Sequence, residues 1–222
     1  MEGIFLENLI NAEIIKKPYK HTTFQLFSKE LCDKLIENFY LINKYLSSKK
    51  DISQSRFMLE VEGDTINGLN YNKHQFLKDI EPLNSVLQMY SDKIIKAHYE
   101  KYYDQKEYLR YTIQLVYDKK NYSIGPHTDS FKRAATQITY IVCDEDIDKK
   151  LGVCVYKDLI NRHKEKWEKI HYSFDNFEKV KQVEYYPGSS INFKVKPTSF
   201  HGVEKIDVDC NRMSIQTIIW KD

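Results

Sequence analysis

The chain has 222 residues, with 34 basic and 32 acidic side chains, a net charge of +2, 41% hydrophobic and 30% charged residues. This is the composition of a globular chain rather than a disordered one, and its balanced charge gives no electrostatic footprint for nucleic acid. No apolar run approaches the roughly 18 residues of a membrane helix, and the length suits a single domain over residues 1–222 with a sizeable core.

At the amino terminus, MEGIFLENLINAEIIKK interrupts its apolar stretch with Glu7 and Asn8. That makes a poor secretion signal and points to a cytoplasmic protein. Cys32, Cys143, Cys154 and Cys210 are scattered without a CxxC pair, in keeping with reduced thiols. Residues 19–26 (YKHTTFQL) read as extended. Ser28 then caps a helix whose apolar face carries Leu31, Leu35 and Phe39 at four-residue spacing. Residues 50–80 read as irregular, with turns at Gly63 and Gly68. A second helix starts near Pro82, a favoured first-turn residue, and its buried stripe is Leu83, Leu87, Tyr90, Ile94 and Ala97. Residues 1–107 therefore read as a helix-rich lead-in.

Beyond residue 108 the pattern changes to short β-branched and aromatic runs at 109–118, 122–128, 134–143, 152–157, 181–187, 189–196, 199–205 and 211–220. Strands in that number after a helical lead predict an α+β chain. Its core, 108–222, would be a closed or sandwiched antiparallel barrel of the jelly-roll or cupin kind, with the helices packed on one face. A charged insert, 157–182 (KDLINRHKEKWEKIHYSFDNFEKVKQ), reads as a helical excursion or lid, or as a solvated decoration.

Three His-Xaa-Asp/Glu triplets occur, His98-Tyr-Glu100, His127-Thr-Asp129 and His163-Lys-Glu165, where chance predicts about one. The first lies in a predicted helix, where positions i and i+2 diverge, and the third in the charged insert. Only His127 and Asp129 stand at the end of a predicted strand, behind Gly125-Pro126. In extended chain their side chains point the same way and can hold one metal together. A third ligand must come from a distant strand, and His201, followed by Gly202, supplies it. Two imidazoles and a carboxylate form a facial triad that leaves positions on octahedral Fe(II) for a chelating cosubstrate and O2. No cysteine neighbours the three in sequence, which argues against structural zinc.

Only five of the basic residues are arginine, Arg56, Arg110, Arg133, Arg162 and Arg212, so each arginine is more informative than a lysine. Arg212 and Ser214 share one face of the last predicted strand. Together they offer a planar fork and a hydroxyl donor to a carboxylate. If 199–205 and 211–220 pair as a hairpin, Arg212 lies beside the metal and deeper in the barrel.

These residues resemble the 2-oxoglutarate/Fe(II)-dependent oxygenase superfamily, in its prolyl-hydroxylase-like branch, over residues 109–220. QLVYDKKNYSIGPHTDSFKRAATQITYIV is similar to its first metal-ligand region, YYPGSSINFKVKPTSFHGVEKI to its PG turn and His-Gly-Val segment, and NRMSIQTIIW to its closing strand. The resemblance implies a double-stranded β-helix and iron held by His127, Asp129 and His201. It implies 2-oxoglutarate anchored by Arg212 and Ser214, O2 as co-reactant, and ascorbate as an accessory reductant. A third-strand tyrosine often joins the carboxylate anchor in this branch, and Tyr140 stands at the matching place. Tyr117 is a further candidate for lining the site. The implied activity is hydroxylation of a C–H bond of a small molecule, giving succinate and CO2, with neither nucleic acid nor membrane as partner.

Two departures, Arg212 where collagen-type prolyl hydroxylases carry lysine and LGVCVYKD in place of Gly-Gly-Glu-Leu, argue against a collagen-type enzyme. Asp129 argues against a halogenase. KPYKHTTFQLFSKELCDKLIENFY resembles lead-in regions of bacterial oxygenases of surface-sugar biosynthesis, which hints at a sugar or polysaccharide precursor. A hydroxylase of protein side chains, a non-oxidative cupin-like metal protein and a barrel serving only as a binding module stay open as alternatives.

Overall fold

The computed structural model describes residues 2–48, 55–147, 149–160 and 171–221. The chain opens with α1 (Leu6–Asn11), β1 (His21–Gln25) and α2 (Lys29–Ile42). Ser28 Oγ accepts the Leu31 N–H at 3.2 Å, the expected cap of α2, and Leu31, Leu35 and Phe39 are all buried. Next come β2 (Ser47–Ser48), β3 (Arg56–Asp64) and β4 (Gly68–Asn70), then α3 (Leu83–Met89) and α4 (Ile95–Glu100), joined through one π turn at Tyr90–Ile94. Pro82 caps α3, and Leu83, Leu87, Tyr90 and Ile94 form the buried stripe, with Ala97 half-buried at its end. No helix among the described residues is long and apolar enough to cross a membrane.

The remaining strands are β5 (Arg110–Asp118), β6 (Ile124–His127), β7 (Arg133–Ile141), β8 (Cys154–Asp158), β9 (Phe177–Gln182), β10 (Ser189–Lys194), β11 (His201–Val203) and β12 (Arg212–Trp220). Among the described residues they build two antiparallel sheets in a jelly-roll arrangement. The larger runs β1-β10-β7-β12-β5-β3-β2, with β4 on β3, and the smaller runs β6-β11-β8-β9. Side chains alternate across the larger sheet, so each strand serves two environments. On one side Leu59, Ile113, Leu115 and Ile215 share a core with Leu31, Leu35 and Phe39 of α2 and Leu87 of α3. On the other, Ile138, Tyr140, Ile191 and Phe193 share a second core with Val155 of β8 and Val203 of β11.

Four expectations change. The lead-in is not all-helical, because β1 to β4 join the larger sheet, and residues 50–80, read as irregular, contain β3 and β4. β3 carries the alternation of a half-buried strand, with Phe57, Leu59 and Val61 against Arg56, Glu60 and Glu62, but Met58 interrupts it and the turn residues Gly63 and Gly68 mask it. The strand expected at 181–187 ends at Gln182. Val183 and Tyr185 are buried in the second core, so their alternation reports burial rather than strand pairing. The 199–205 and 211–220 runs do not form a hairpin. β11 pairs with β6 and β8, whereas β12 pairs with β5 and β7 in the other sheet. The charged insert starts inside β8 and ends inside β9, which pair antiparallel. Its centre, 161–170, with His163 and Glu165, lies outside the described residues.

Candidate metal centre and anion anchor

His127 closes β6 and His201 opens β11, and the two are direct register partners. Their rings lie 4.4 Å apart. Asp129 stands two residues past β6, with its Oδ2 4.0 Å from His201 Nε2. Ligand-capable atoms of all three lie within 4.8 Å of one another, the one such cluster among the described residues. Close approach of β11 to β6 depends on Gly202, where a Cβ would sit 2.6 Å from the Ile124 carbonyl oxygen. A Cβ on Gly125 would likewise collide with the Tyr172 carbonyl, where the chain returning from the insert crosses β6.

The imidazoles are oriented by backbone. His127 Nδ1 lies 2.9 Å from the Gly125 carbonyl and His201 Nδ1 3.0 Å from that of Ser199. A carbonyl only accepts, so each Nδ1 carries the proton and donates, which leaves both Nε2 lone pairs for a metal. Burial first, then the neighbouring His201, presses the His127 pKa down to about 3, so that ring is neutral. Burial alone would raise the Asp129 pKa. Arg133 and the two imidazoles, with the Thr136 hydroxyl, outweigh it and hold the carboxyl well below its usual range. Arg133 Nη1 and Thr136 Oγ1 donate to the two carboxylate oxygens, each at 2.6 Å. The cluster thus presents two imidazole nitrogens and one anionic oxygen, a set suited to a divalent transition metal.

A second constellation faces it from the larger sheet. Arg212 is fully buried on β12. Its Nε donates to the Leu151 carbonyl at 2.7 Å, and its Nη1 donates to Asp118 Oδ2. Its Nη2 has no hydrogen-bond partner. Tyr140 lies beside it, ring centre 5.3 Å from the guanidinium carbon, and the Tyr140 hydroxyl accepts the Val153 N–H at 2.7 Å. Ser214, on the same face, accepts from Gln216 Nε2 at 3.1 Å. Asp118 also takes two hydrogen bonds from Arg56, Nε to Oδ1 at 2.7 Å and Nη2 to Oδ2 at 2.8 Å.

His127, Asp129, His201 and Arg212 line one cavity of about 530 Å³ between the sheets. Tyr140 and Ser214 are buried next to Arg212 without lining it. Tyr117 is not brought to the site. As an odd-numbered residue of β5 it points to the helix side, where its ring joins the first core and its hydroxyl bonds Asn211 Oδ1.

No protein-family model and no curated protein matches the sequence. The structure is similar to solved ones. A non-heme α-ketoglutarate-dependent carbocyclase of nogalamycin biosynthesis gives a TM-score of 0.57 at 11% identity, over 90% of this chain and 79% of that one. A prolyl hydroxylase from Trichoplax adhaerens, in complex with a hypoxia-inducible-factor peptide fragment, gives 0.56 at 10%, over 90% and 83%. A dioxygenase for auxin oxidation from Arabidopsis thaliana gives 0.53 at 9%, over 90% and 83%. The chain has the fold of the Fe(II)/2-oxoglutarate-dependent dioxygenases.

Within that fold, sequence reasoning missed several residues of the cavity wall, among them Arg56, Tyr122, Arg133 and His171. Three of the four arginines among the described residues line the cavity, so the scarcity of arginine was the available signal for Arg56 and Arg133. Tyr122 is fully buried, stacks 4.2 Å from the Arg56 guanidinium carbon and has a hydroxyl without a partner. It is one of 17 tyrosines, and nothing local distinguishes it. His171 belongs to the charged insert, yet its ring is 4.9 Å from that of His127.

Proposed function

We propose that this chain is a single-domain Fe(II)- and 2-oxoglutarate-dependent dioxygenase that hydroxylates a C–H bond of a small polar molecule. One observation carries the reading. A two-imidazole, one-carboxylate cluster shares a cavity with a buried arginine that still has an unpartnered donor. The donor set fits iron, and the orphaned Nη2 of Arg212 fits the far carboxylate of a dicarboxylic 2-oxo acid. A cupin-like protein without that cosubstrate has no use for such an arginine.

His127, Asp129 and His201 would hold the metal. When bound, iron with 2-oxoglutarate and O2 supplies the oxidising chemistry that places one oxygen atom on the substrate and leaves succinate and CO2. The protein supplies orientation. The Gly125 and Ser199 carbonyls fix the ring tautomers, and Arg133 and Thr136 aim the carboxylate. Arg212, with Ser214 and Tyr140 packed behind it, anchors the cosubstrate. Glu60, Gln114 and Gln216 form a register row across β3, β5 and β12 that lines the same cavity. That polar wall, in a volume typical of small-molecule sites, suits a hydroxyl-rich substrate such as a sugar or a surface-polysaccharide precursor.

The test is an anaerobic titration of the iron-loaded protein with 2-oxoglutarate, following the visible metal-to-ligand charge-transfer band. A band that disappears in His201→Ala is the expected result. A folded, iron-loaded parent without any band would remove the dioxygenase reading and leave the cupin-like one.

A further inference from the structure

Arg56, Asp118 and Arg212 form a register row across β3, β5 and β12. All three are at least nine-tenths buried, and Arg56 and Arg212 both line the cavity. Among the described residues Asp118 is the only carboxylate within hydrogen-bond reach of either guanidinium. The row therefore contains two buried positive charges and one negative charge.

Arg56 engages both Asp118 oxygens in a bidentate pair, the strongest geometry open to a carboxylate, and stacks on Tyr122. Arg212 receives only a share of Oδ2. Its guanidinium is held at Nε by the Leu151 carbonyl and at Nη1 by Asp118, while Nη2 stays unpartnered. A buried cation with an unmade hydrogen bond is costly on its own, so this arrangement calls for an anion. If Asp118 served Arg212 alone, the pair would be neutral and the cavity would have little attraction for a carboxylate.

We propose that Arg56 is a positioning residue that acts through Asp118: it fixes the Arg212 guanidinium and leaves one buried positive charge uncompensated, so that the cavity selects 2-oxo acids carrying a second, far carboxylate. This rests on the dioxygenase reading above. Arg56 does not chelate the metal, so its effect falls on discrimination between acids and not on binding of the shared 2-oxo acid head.

The experiment is calorimetric titration of nickel-loaded protein, which does not turn over, with 2-oxoglutarate and with 2-oxobutyrate, which lacks the far carboxylate. The parent is expected to prefer 2-oxoglutarate by about tenfold or more, the scale of one charged hydrogen bond. Arg56→Gln is expected to remove most of that preference while leaving 2-oxobutyrate binding unchanged. Arg56→Lys, which keeps the charge without the fork, should restore part of it. An unchanged preference in Arg56→Gln, whatever its melting temperature, overturns the proposal, as does equal weakening of both acids. If Arg56→Gln does not fold, the same ratio in Arg56→Lys decides: a reduced preference supports the proposal and an unaltered one overturns it. A parent that binds neither acid, or both equally, counts against the anchor on which the dioxygenase reading rests, whereas a parental preference that survives in Arg56→Gln refutes only the role of Arg56.

Discussion

Along β12, Met213, Ile215 and Ile219 enter the core shared with the helices, while Arg212, Ser214 and Gln216 face the opposite sheet. The same division runs through β5, where Ile113, Leu115 and Tyr117 lie on the helix side and Gln114 and Asp118 on the cavity side. The helix side is held by apolar area spread over many residues, so each contributes a modest share and volume matters more than identity. The Tyr90 hydroxyl there donates to Thr139 Oγ1 at 2.9 Å. The cavity side concentrates charge in a few residues and leaves an arginine donor unmet. That is unfavourable for folding alone and useful only when a ligand arrives. One strand set thus separates stability from binding by the parity of its residues.

Arg212→Ala should test this separation most severely. It removes the unmet donor and leaves Arg56 and Asp118 as a neutral pair, so 2-oxoglutarate affinity should fall by on the order of a hundredfold. The unfolding temperature should be nearly retained, and parallel calorimetry and thermal melts check both. A loss of folding stability as large as the loss of affinity would break the comparison.

Leu35→Ala on the helix side should do the reverse. Truncating a fully buried leucine should cost about 2–5 kcal/mol in urea unfolding, with the cosubstrate dissociation constant unchanged in the folded fraction.

His98, on α4, sharpens the stability side through pH. It is fully buried, neither ring nitrogen has a partner, and burial pushes its pKa from 6.5 to about 3. Its folded pKa lies below its unfolded one, so its contribution is intact above about pH 6.5. As pH falls from there toward 3, the unfolded chain gains a proton that the folded one refuses. Stability should drop in that window by up to about 1.4 kcal/mol per pH unit from this group. His98→Leu should flatten the profile by that one proton, read from unfolding midpoints between pH 7 and 4. An unchanged slope would place the acid sensitivity elsewhere.

Ser28→Ala is the smallest change. It deletes the cap of α2 and should lower stability by about 1 kcal/mol, with no effect on either acid's binding.

Signals confined to a few neighbouring residues were readable without the structure. Ser28 and the Leu31, Leu35, Phe39 stripe located α2, and the run 211–220 located β12. His127 and Asp129 stood out because a strand end turns an i, i+2 pair to one side. β3 was hidden by its surroundings. Phe57, Leu59 and Val61 alternate with Arg56, Glu60 and Glu62 as a half-buried strand requires, but Met58 interrupts the alternation and the turn residues Gly63 and Gly68 made the whole stretch read as irregular. Tyr117 shows the converse error, since a matching position along the chain did not reveal which face of β5 its side chain takes.

The sequence by itself thus determined α2 and the helical stretch after Pro82, most strands and the chemical character of the candidate metal ligands, because propensity, capping and side-chain alternation act over a handful of residues. Only the tertiary structure decided that β11 and β12 part into different sheets, that Arg212 reaches the cavity across from His201, and that Arg56 shares Asp118 with it. Those relations depend on strand pairing between segments far apart in the chain, 94 residues in the case of Arg212 and Asp118. Such pairing is selected by which faces the rest of the chain buries, a quantity that no local window contains.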